Sequence, residues 1–307
     1  MTDFDQMFKD VDVEPMRLAV IAAGEVETLS AVMDAVQTGS VKPVLFGNSE
    51  KIIELASSID FDLSDCTVIN TENTISAAEE AVFYVKNGTA DFLMKGLIDT
   101  SDFLRAIIDK EKGLPLKKML SHIAVFDIPG YPQLLFTTDG GMVMYPDLEQ
   151  KKQLIENALV LTRALGYERT IVGCLAAKEK VNPKMTSTID AYELKKMGER
   201  GVFGLDVFVE GPIAMDLIFS KEAARIKDFD SIAAGAVDIL LFPNIDTGNA
   251  VGKTLMQIPG TRMAGIVMGA EVPIIMTSRA DSRLEKLNSI RMAGMIAAKT
   301  KKRGERQ

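Results

Sequence analysis

The chain has 307 residues, of which 47% are hydrophobic and 25% are charged, and its formal net charge is −8. These values are typical of a globular protein with a sizeable core, and the length suggests one large or two medium domains. The negative charge argues against general affinity for nucleic acid, so an anionic substrate would need a locally positive site. Two cysteines and one histidine make a disulfide framework or a metal site built from Cys or several His improbable.

The amino-terminal segment is acidic and has no apolar centre, so it does not resemble a secretory signal. No apolar run approaches the ~18 residues that a membrane-spanning helix needs. With the reducing compartment that isolated cysteines suit, these features predict a cytoplasmic protein that has neither a membrane nor a nucleic acid as a partner.

Short apolar runs alternate with helical patterns along the first third of the chain. Strands are predicted at 17–22, 42–46, 67–69 and 92–94, and helices at 26–36, from about 49, at 75–86 and at 100–108. This alternation is typical of a parallel sheet with crossover helices, and it places the chain in the α/β class.

The pattern changes at residue 123, where two apolar runs flank a Pro-Gly-Tyr-Pro turn. The runs at 123–128 and 134–138 predict an antiparallel hairpin, which marks a candidate domain boundary. The alternation then resumes, with helices predicted at 147–165, 189–197, 248–257 and 282–298 and strands at 170–175, 206–209, 237–242, 263–268 and 273–276. Gly211-Pro212 is predicted to open one further helix.

Polar side chains follow several of these strands directly. Lys95 and Gly96 suit phosphate binding, although a solvated surface lysine explains the pattern equally well. Residues 139–141, Asp-Gly-Gly, fit either a close backbone approach to a ligand or a plain turn. Asn249 and Lys253 lie four residues apart on one helix face, next to a helix amino terminus that favours anions.

The segment 273–285 joins a strand end to a helix through a hydroxyl and a fixed cation, Ser278 and Arg279. Ser282 and Glu285 have the S-x-x-E spacing of a capping box, so they are interpreted either as helix caps alone or as part of an anion site. Arg279 is open to a second interpretation, a surface ion pair of roughly 0–1 kcal/mol. His122 is the single histidine, and a structural hydrogen-bonding role is favoured for it over that of a base.

Taken in chain order, these segments resemble the phosphate acetyl/butyryltransferase family, and its butyryl branch in particular. The matching residues are 93–96, 120–122, 182–185, Gly211-Pro212 with Asp216, 238–253 and 277–282. The resemblance implies a two-domain, three-layer α/β/α fold like that of isocitrate or isopropylmalate dehydrogenase, with an active site in the interdomain cleft. It assigns residues 1–124 with 266–307 to the first domain and residues 125–265 to the second.

The resemblance also implies an activity, the reversible transfer of a short acyl group between coenzyme A and inorganic phosphate. Butyryl or a branched four- or five-carbon group is expected, with acetyl as the alternative. No metal and no permanently bound cofactor are implied, and a homodimer or a higher homo-oligomer is expected. A metal-dependent dehydrogenase and a non-catalytic acyl-CoA-binding protein are the alternatives from other classes.

The family's residue roles can be carried onto matching positions. Ser278 and Arg279 match its essential pair, and the carboxylate that takes the proton of the coenzyme A thiol falls at Glu285, with Asp281 as a rival. An arginine expected for phosphate binding falls at Met119, so another cation must replace it. The residues predicted to bind phosphate or coenzyme A are Lys95, Ser121, His122, Asn249, Lys253 and Thr277.

Overall fold

A computed structural model describes residues 1–9, 14–278 and 281–304 of the chain. The helices in this part of the chain are α1 Phe4–Phe8, α2 Val26–Gln37, α3 Ser49–Ser58, α4 Thr74–Lys86, α5 Thr100–Ile108, α6 Leu148–Ala164, α7 Thr186–Glu199, α8 Met215–Phe219, α9 Lys221–Ile226, α10 Ile245–Leu255 and α11 Arg283–Gly304. The strands are β1 Met16–Ile21, β2 Val41–Gly47, β3 Thr67–Asn70, β4 Phe92–Lys95, β5 Leu116–Asp127, β6 Leu135–Thr138, β7 Thr170–Leu175, β8 Val207–Ile213, β9 Ile239–Leu241, β10 Arg262–Ala270 and β11 Ile274–Ile275. The predicted α/β class is confirmed.

The chain divides into two compact units by its internal contacts. The first unit contains Asp10–Lys118 and Ala264–Gln307, and the second contains Met1–Lys9 and Met119–Met263. The domain boundaries predicted from sequence, after 124 and after 265, lie close to these, but the prediction placed the first nine residues with the other group. The domain assignment itself stays a prediction.

The first unit is built on strands in the order β3-β2-β1-β4-β11-β10. All neighbouring pairs through β11 are parallel, and only β10 and β11 run antiparallel. Strands β1 and β4 are apolar runs that are almost wholly buried, as expected for strands covered on both faces. Helix α11 packs against α2 and β1, so the last part of the chain completes the unit that residues 10–118 begin.

The second unit has the strand order β5-β6-β9-β7-β8. Strands β5 and β6 form the predicted antiparallel hairpin, with Val125 opposite Phe136, whereas the pairs β6–β9, β7–β9 and β7–β8 are parallel. The hairpin prediction is therefore confirmed.

The helix starts predicted at Gly211 and Gly248 are wrong. Gly211 and Pro212 lie inside β8, and the next helix, α8, begins at Met215. Because β8 is the last strand of its sheet order, proline is tolerated there without interrupting a central ladder. Helix α10 begins at Ile245, three residues before the predicted Gly248, because the Asn244 side chain accepts a hydrogen bond from the Thr247 N–H at 3.0 Å and caps it.

None of the helices in the described part of the chain is long and apolar enough to cross a membrane.

Candidate active site

Two predicted site segments follow neighbouring parallel strands of the first unit. Ile275 of β11 is paired with Met94 of β4, and Lys95 is the last residue of β4. Thr277 and Ser278 follow β11 after a single residue, Met276, so they lie at the same carboxyl edge of the sheet as Lys95. This edge is where ligands bind in open α/β sheets.

Lys95 is buried, with 7% of its surface exposed, so it is not a solvated surface lysine. Its Nζ lies 3.4 Å from the Gly96 carbonyl oxygen. A side chain at Gly96 would bring its Cβ within 2.5 Å of the carbonyl oxygens of Ile21 and Ala22, so only glycine fits this turn. The turn holds a buried ammonium at the sheet edge, where an anion would be attracted.

Ser278 and Asp281 are bonded to each other in both directions. The Ser278 N–H donates to Asp281 Oδ2 at 2.8 Å, and the Asp281 N–H donates to the Ser278 carbonyl oxygen at 3.2 Å. One oxygen of the Asp281 carboxylate is therefore held at the Ser278 backbone. Arg279, on which the predicted phosphate contact depends, lies outside the described residues.

The predicted capping box at the start of α11 is confirmed. The Ser282 N–H donates to Glu285 Oε2 at 2.5 Å, and the Glu285 N–H donates to Ser282 Oγ at 3.3 Å. The Glu285 carboxylate is thus engaged at the helix amino terminus. The two rival carboxylates have different partners, because Asp281 holds Ser278 while Glu285 caps the helix.

Sequence reasoning missed two polar residues on the buried face of α11. Lys286 is 2% exposed, and its Nζ donates to the Asp281 carbonyl oxygen at 2.7 Å. Ser289 Oγ accepts from the Gly265 N–H of β10 at 2.9 Å and donates to the Glu285 carbonyl oxygen at 2.7 Å. Lys286 lies four residues before buried Ile290, and Ser289 lies four residues before buried Ala293, so helical spacing could have indicated that both are buried.

His122 belongs to a second group of predicted residues, in the second unit. Its backbone N–H donates to Asp139 Oδ2 at 2.8 Å, while the N–H groups of Gly141 and Met142 donate to Asp139 Oδ1 at 2.7 and 2.8 Å. Asp139 is 2% exposed. A Cβ at Gly141 would lie 3.2 Å from His122 Cγ, so the glycine allows the loop to approach the imidazole.

The loop after β6 also lies against the start of α10. A Cβ at Gly140 would be 2.7 Å from the Gly248 carbonyl carbon, and Asn249 Nδ2 donates to the Gly140 carbonyl oxygen at 3.3 Å. The structure thus brings together His122, the Asp-Gly-Gly loop and Asn249. Lys253 is exposed one turn further along α10, and no described contact joins it to this group.

Ser121 has a different environment from the one predicted. It is fully buried, and its Oγ accepts a hydrogen bond from Asn157 Nδ2 of α6 at 2.8 Å. The same amide nitrogen donates to the Met119 carbonyl oxygen at 2.8 Å, and the Met119 N–H donates to Gln153 Oε1 at 3.3 Å. These bonds tie the start of β5 to α6, which is a structural role for Ser121 and for the backbone at Met119.

No group of three or more His, Cys, Asp or Glu side chains among the described residues is arranged to hold a metal ion.

A family model described as phosphate acetyl/butaryl transferase matches residues 75–294, most of the chain. The chain belongs to this family. The resemblance seen in its motifs is thereby confirmed, and the protein is a member of a family of transferases.

Individual relatives agree with the family. The chain is 39% identical to a phosphate butyryltransferase from Clostridium acetobutylicum over 295 residues, which cover 96% of this chain and 98% of that protein. The crystal structure of a branched-chain phosphotransacylase from Enterococcus faecalis V583 has a TM-score of 0.82 and 28% identity, and the match covers 92% of this chain and 99% of that one. A 4-hydroxythreonine-4-phosphate dehydrogenase from Burkholderia phymatum shares the fold alone, with a TM-score of 0.55, 13% identity and coverage of 93% and 99%. The predicted likeness to a dehydrogenase fold is therefore confirmed.

Proposed function

We propose that this protein is a phosphate acyltransferase that exchanges a short acyl group between coenzyme A and inorganic phosphate. The observation that carries the proposal is the shared carboxyl edge of β4 and β11, where buried Lys95 lies beside the segment that bears Ser278. Family membership supports the same reaction. Butyryl or a branched four- or five-carbon group is proposed as the acyl group, because the named relatives with 39% and 28% identity are a butyryltransferase and a branched-chain phosphotransacylase.

Phosphate is bound, in this proposal, by fixed positive charge in the first unit. Arg279 contributes a guanidinium, which stays protonated at any working pH and can form two parallel bonds to phosphate oxygens. Lys95 adds a second positive charge at the edge of the sheet. It replaces the phosphate-binding arginine of the family, whose position is occupied by Met119 in this chain. Thr277, next in the chain to Ser278, contributes a further hydroxyl.

Transfer is proposed to be direct, within a complex of both substrates. In the direction that forms acyl-CoA, the thiol of coenzyme A has an ordinary pKa near ~8.5 and must lose its proton to attack. Asp281 takes that proton, because one of its oxygens is held at the Ser278 N–H and the other remains to act as a base. The thiolate adds to the acyl carbonyl carbon to form the carbon–sulfur bond, and the carbonyl oxygen becomes an oxyanion. When the carbonyl re-forms, the carbon–oxygen bond to phosphate breaks and its electron pair leaves on the phosphate.

Two positions stabilise the charge that develops in that step. Arg279 offsets the charge on the departing phosphate, and the Ser278 hydroxyl donates to the carbonyl oxygen as it becomes an oxyanion. Glu285 keeps α11 capped and takes no proton. The amide of Asn249, the exposed Lys253 and His122 are assigned to coenzyme A, whose phosphates and amides suit donors of this kind.

The working form is proposed to be a cytoplasmic homodimer with no tightly bound cofactor. Two free cysteines, Cys66 and Cys174, suit a reducing compartment. Light scattering on the purified protein measures the oligomeric state, and a monomer at micromolar concentration would rule the dimer out.

Release of free thiol from acyl-CoA in the presence of phosphate tests the function. Rates are compared for acetyl-, propionyl-, butyryl- and isobutyryl-CoA, and kcat/KM for a four-carbon substrate is expected to exceed that for acetyl-CoA by roughly tenfold or more. A higher value for acetyl-CoA would support the acetyltransferase alternative. No phosphate-dependent thiol release with any of the four would reject the proposal.

Arg279→Ala is expected to lower kcat/KM by about 10²–10³ because it removes a donor to the transition state. Arg283→Ala is the matched control, since Arg283 lies in the same segment but pairs with Asp34. The control is expected to remain within about twofold of wild type. Wild-type turnover in Arg279→Ala would exclude Arg279 from the reaction.

A further inference from the structure

Three lysines are buried in the described part of the chain, Lys95, Lys151 and Lys286, and the last two differ in whether they have a carboxylate partner. Lys151 is 5% exposed, and its Nζ lies 2.6 Å from Asp190 Oδ2. Lys286 is 2% exposed, and no carboxylate in residues 1–9, 14–278 or 281–304 lies within ion-pair distance of its Nζ. Its described partner is the carbonyl oxygen of Asp281, at 2.7 Å.

A buried ammonium whose described partner is one neutral carbonyl is unfavourable for folding, so packing alone does not explain a lysine at this position. An ammonium has three protons to donate, and a neutral carbonyl accepts only one of them. Burying the charge without a counter-ion costs free energy that a methionine of similar volume would not incur. The apolar stripe of α11 would readily accept such a side chain at this position.

The location of Lys286 indicates what that purpose is. Its ammonium holds Asp281, and Asp281 is bonded to Ser278 by two hydrogen bonds. The helix that carries Lys286 is fixed in turn, because Ser289 ties it to Gly265 of β10. A continuous set of bonds therefore runs from a rigid helix through Lys286 to Ser278.

We infer that Lys286 is a positioning residue for phosphate. Its ammonium fixes Asp281 and, through Asp281, Ser278. The bound phosphate is the counter-ion that the described residues do not provide for this ammonium. This inference rests on the proposed function of the same segment. Lys286 acts through Asp281 and through its charge, and no direct contact with the reacting atoms is required.

Lys286→Met in the full-length chain tests the inference with two measurements. The KM for phosphate is expected to rise at least about tenfold, while the KM for acyl-CoA changes less than about twofold. Without phosphate, the melting temperature is expected to equal or exceed that of wild type, because an uncompensated buried charge has been removed. The increase in melting temperature that inorganic phosphate gives wild type is expected to be lost.

Lys301→Met is the matched control, because it removes the same charge from an exposed site on the same helix. Its KM for phosphate is expected to match wild type. A Lys286→Met protein that fails to fold, or that melts at a lower temperature with an unchanged KM for phosphate, would overturn the inference and leave Lys286 a purely structural role.

The outcomes also separate this inference from the proposed function. If wild type turns over and Lys286→Met has the wild-type KM for phosphate, only the role of Lys286 fails. If wild type shows no phosphate-dependent thiol release, the proposed function fails, and the effect of phosphate on the melting temperatures of the two proteins still tests Lys286. If phosphate then stabilises wild type and Lys286→Met equally, or stabilises neither, the inference about Lys286 is rejected as well.

Discussion

Glu285→Gln separates the two carboxylates that the sequence leaves as rival bases. The structure assigns Glu285 to the capping box, with its Oε2 on the Ser282 N–H and its own N–H on Ser282 Oγ. We therefore expect Glu285→Gln to retain its turnover. Asp281→Asn, by contrast, is expected to lose most of it.

The expected magnitudes differ enough for a clear decision. Glutamine keeps an acceptor oxygen and is the other residue typical of this box, so mainly the charge at the helix amino terminus is lost. That charge contributes about 0.3–1 kcal/mol, which lowers the melting temperature of a protein of this size by only a few degrees. Removing a general base instead lowers the rate by roughly 10²–10⁴.

The assay is thiol consumption with acyl phosphate and coenzyme A, measured from about pH 5 to pH 9 together with thermal unfolding. Glu285→Gln should keep the wild-type rate across this range, and Asp281→Asn should lose most of its rate. A fall of 100-fold or more in Glu285→Gln, with a melting temperature within a few degrees of wild type, would refute the reasoning. Glu285 would then be the base and Asp281 the residue that orders Ser278.

Two further predictions concern the second unit. Asp139→Asn turns an amide N–H toward the His122 N–H, and urea unfolding should show a loss of about 1–3 kcal/mol; unchanged stability would mean that the loop rearranges at no cost. Burial raises the pKa of Asp238 to about 6, from an ordinary 3.8, although N–H donors from Ile171 and Gln133 oppose the shift. Protonation of Asp238 therefore stabilises the folded protein below about pH 4. About 3 kcal/mol of that stability is lost as the pH rises to about 6. Relative to wild type, the free energy of unfolding of Asp238→Asn should increase by up to about 3 kcal/mol between pH 4 and pH 7. A difference between the two proteins that does not vary with pH would contradict this.

Local patterns could be predicted from the sequence because neighbouring residues determine them. The capping box of Ser282 and Glu285 depends on four consecutive residues, and the structure has both of its bonds. The β5–β6 hairpin depends on two apolar runs and a Pro-Gly turn, and its pairing is as expected. Lys95 was placed correctly at a strand end, but its burial could not be judged from the strand alone.

Features that depend on distant residues could not be predicted in this way. Pro212 is accommodated in a strand because β8 lies at the end of its sheet order, which no local pattern reveals. Asp139 accepts three backbone N–H groups, one of which comes from His122 on another strand. Ser121 is bonded to α6 rather than exposed to a ligand, because Asn157 faces it from a helix 36 residues away in sequence.

The place of β11 between β4 and β10 affects how the protein is made on the ribosome. About 180 residues separate the end of β4 at Lys95 from Ile274 of β11. At a translation rate of about 5–20 residues per second, β11 is therefore synthesised on the order of ten to forty seconds after β4. During that time an apolar strand has an unpaired edge, which is a site for mispairing and aggregation. Nascent chains that are stalled before residue 274 should therefore depend on chaperones more than chains that have passed it.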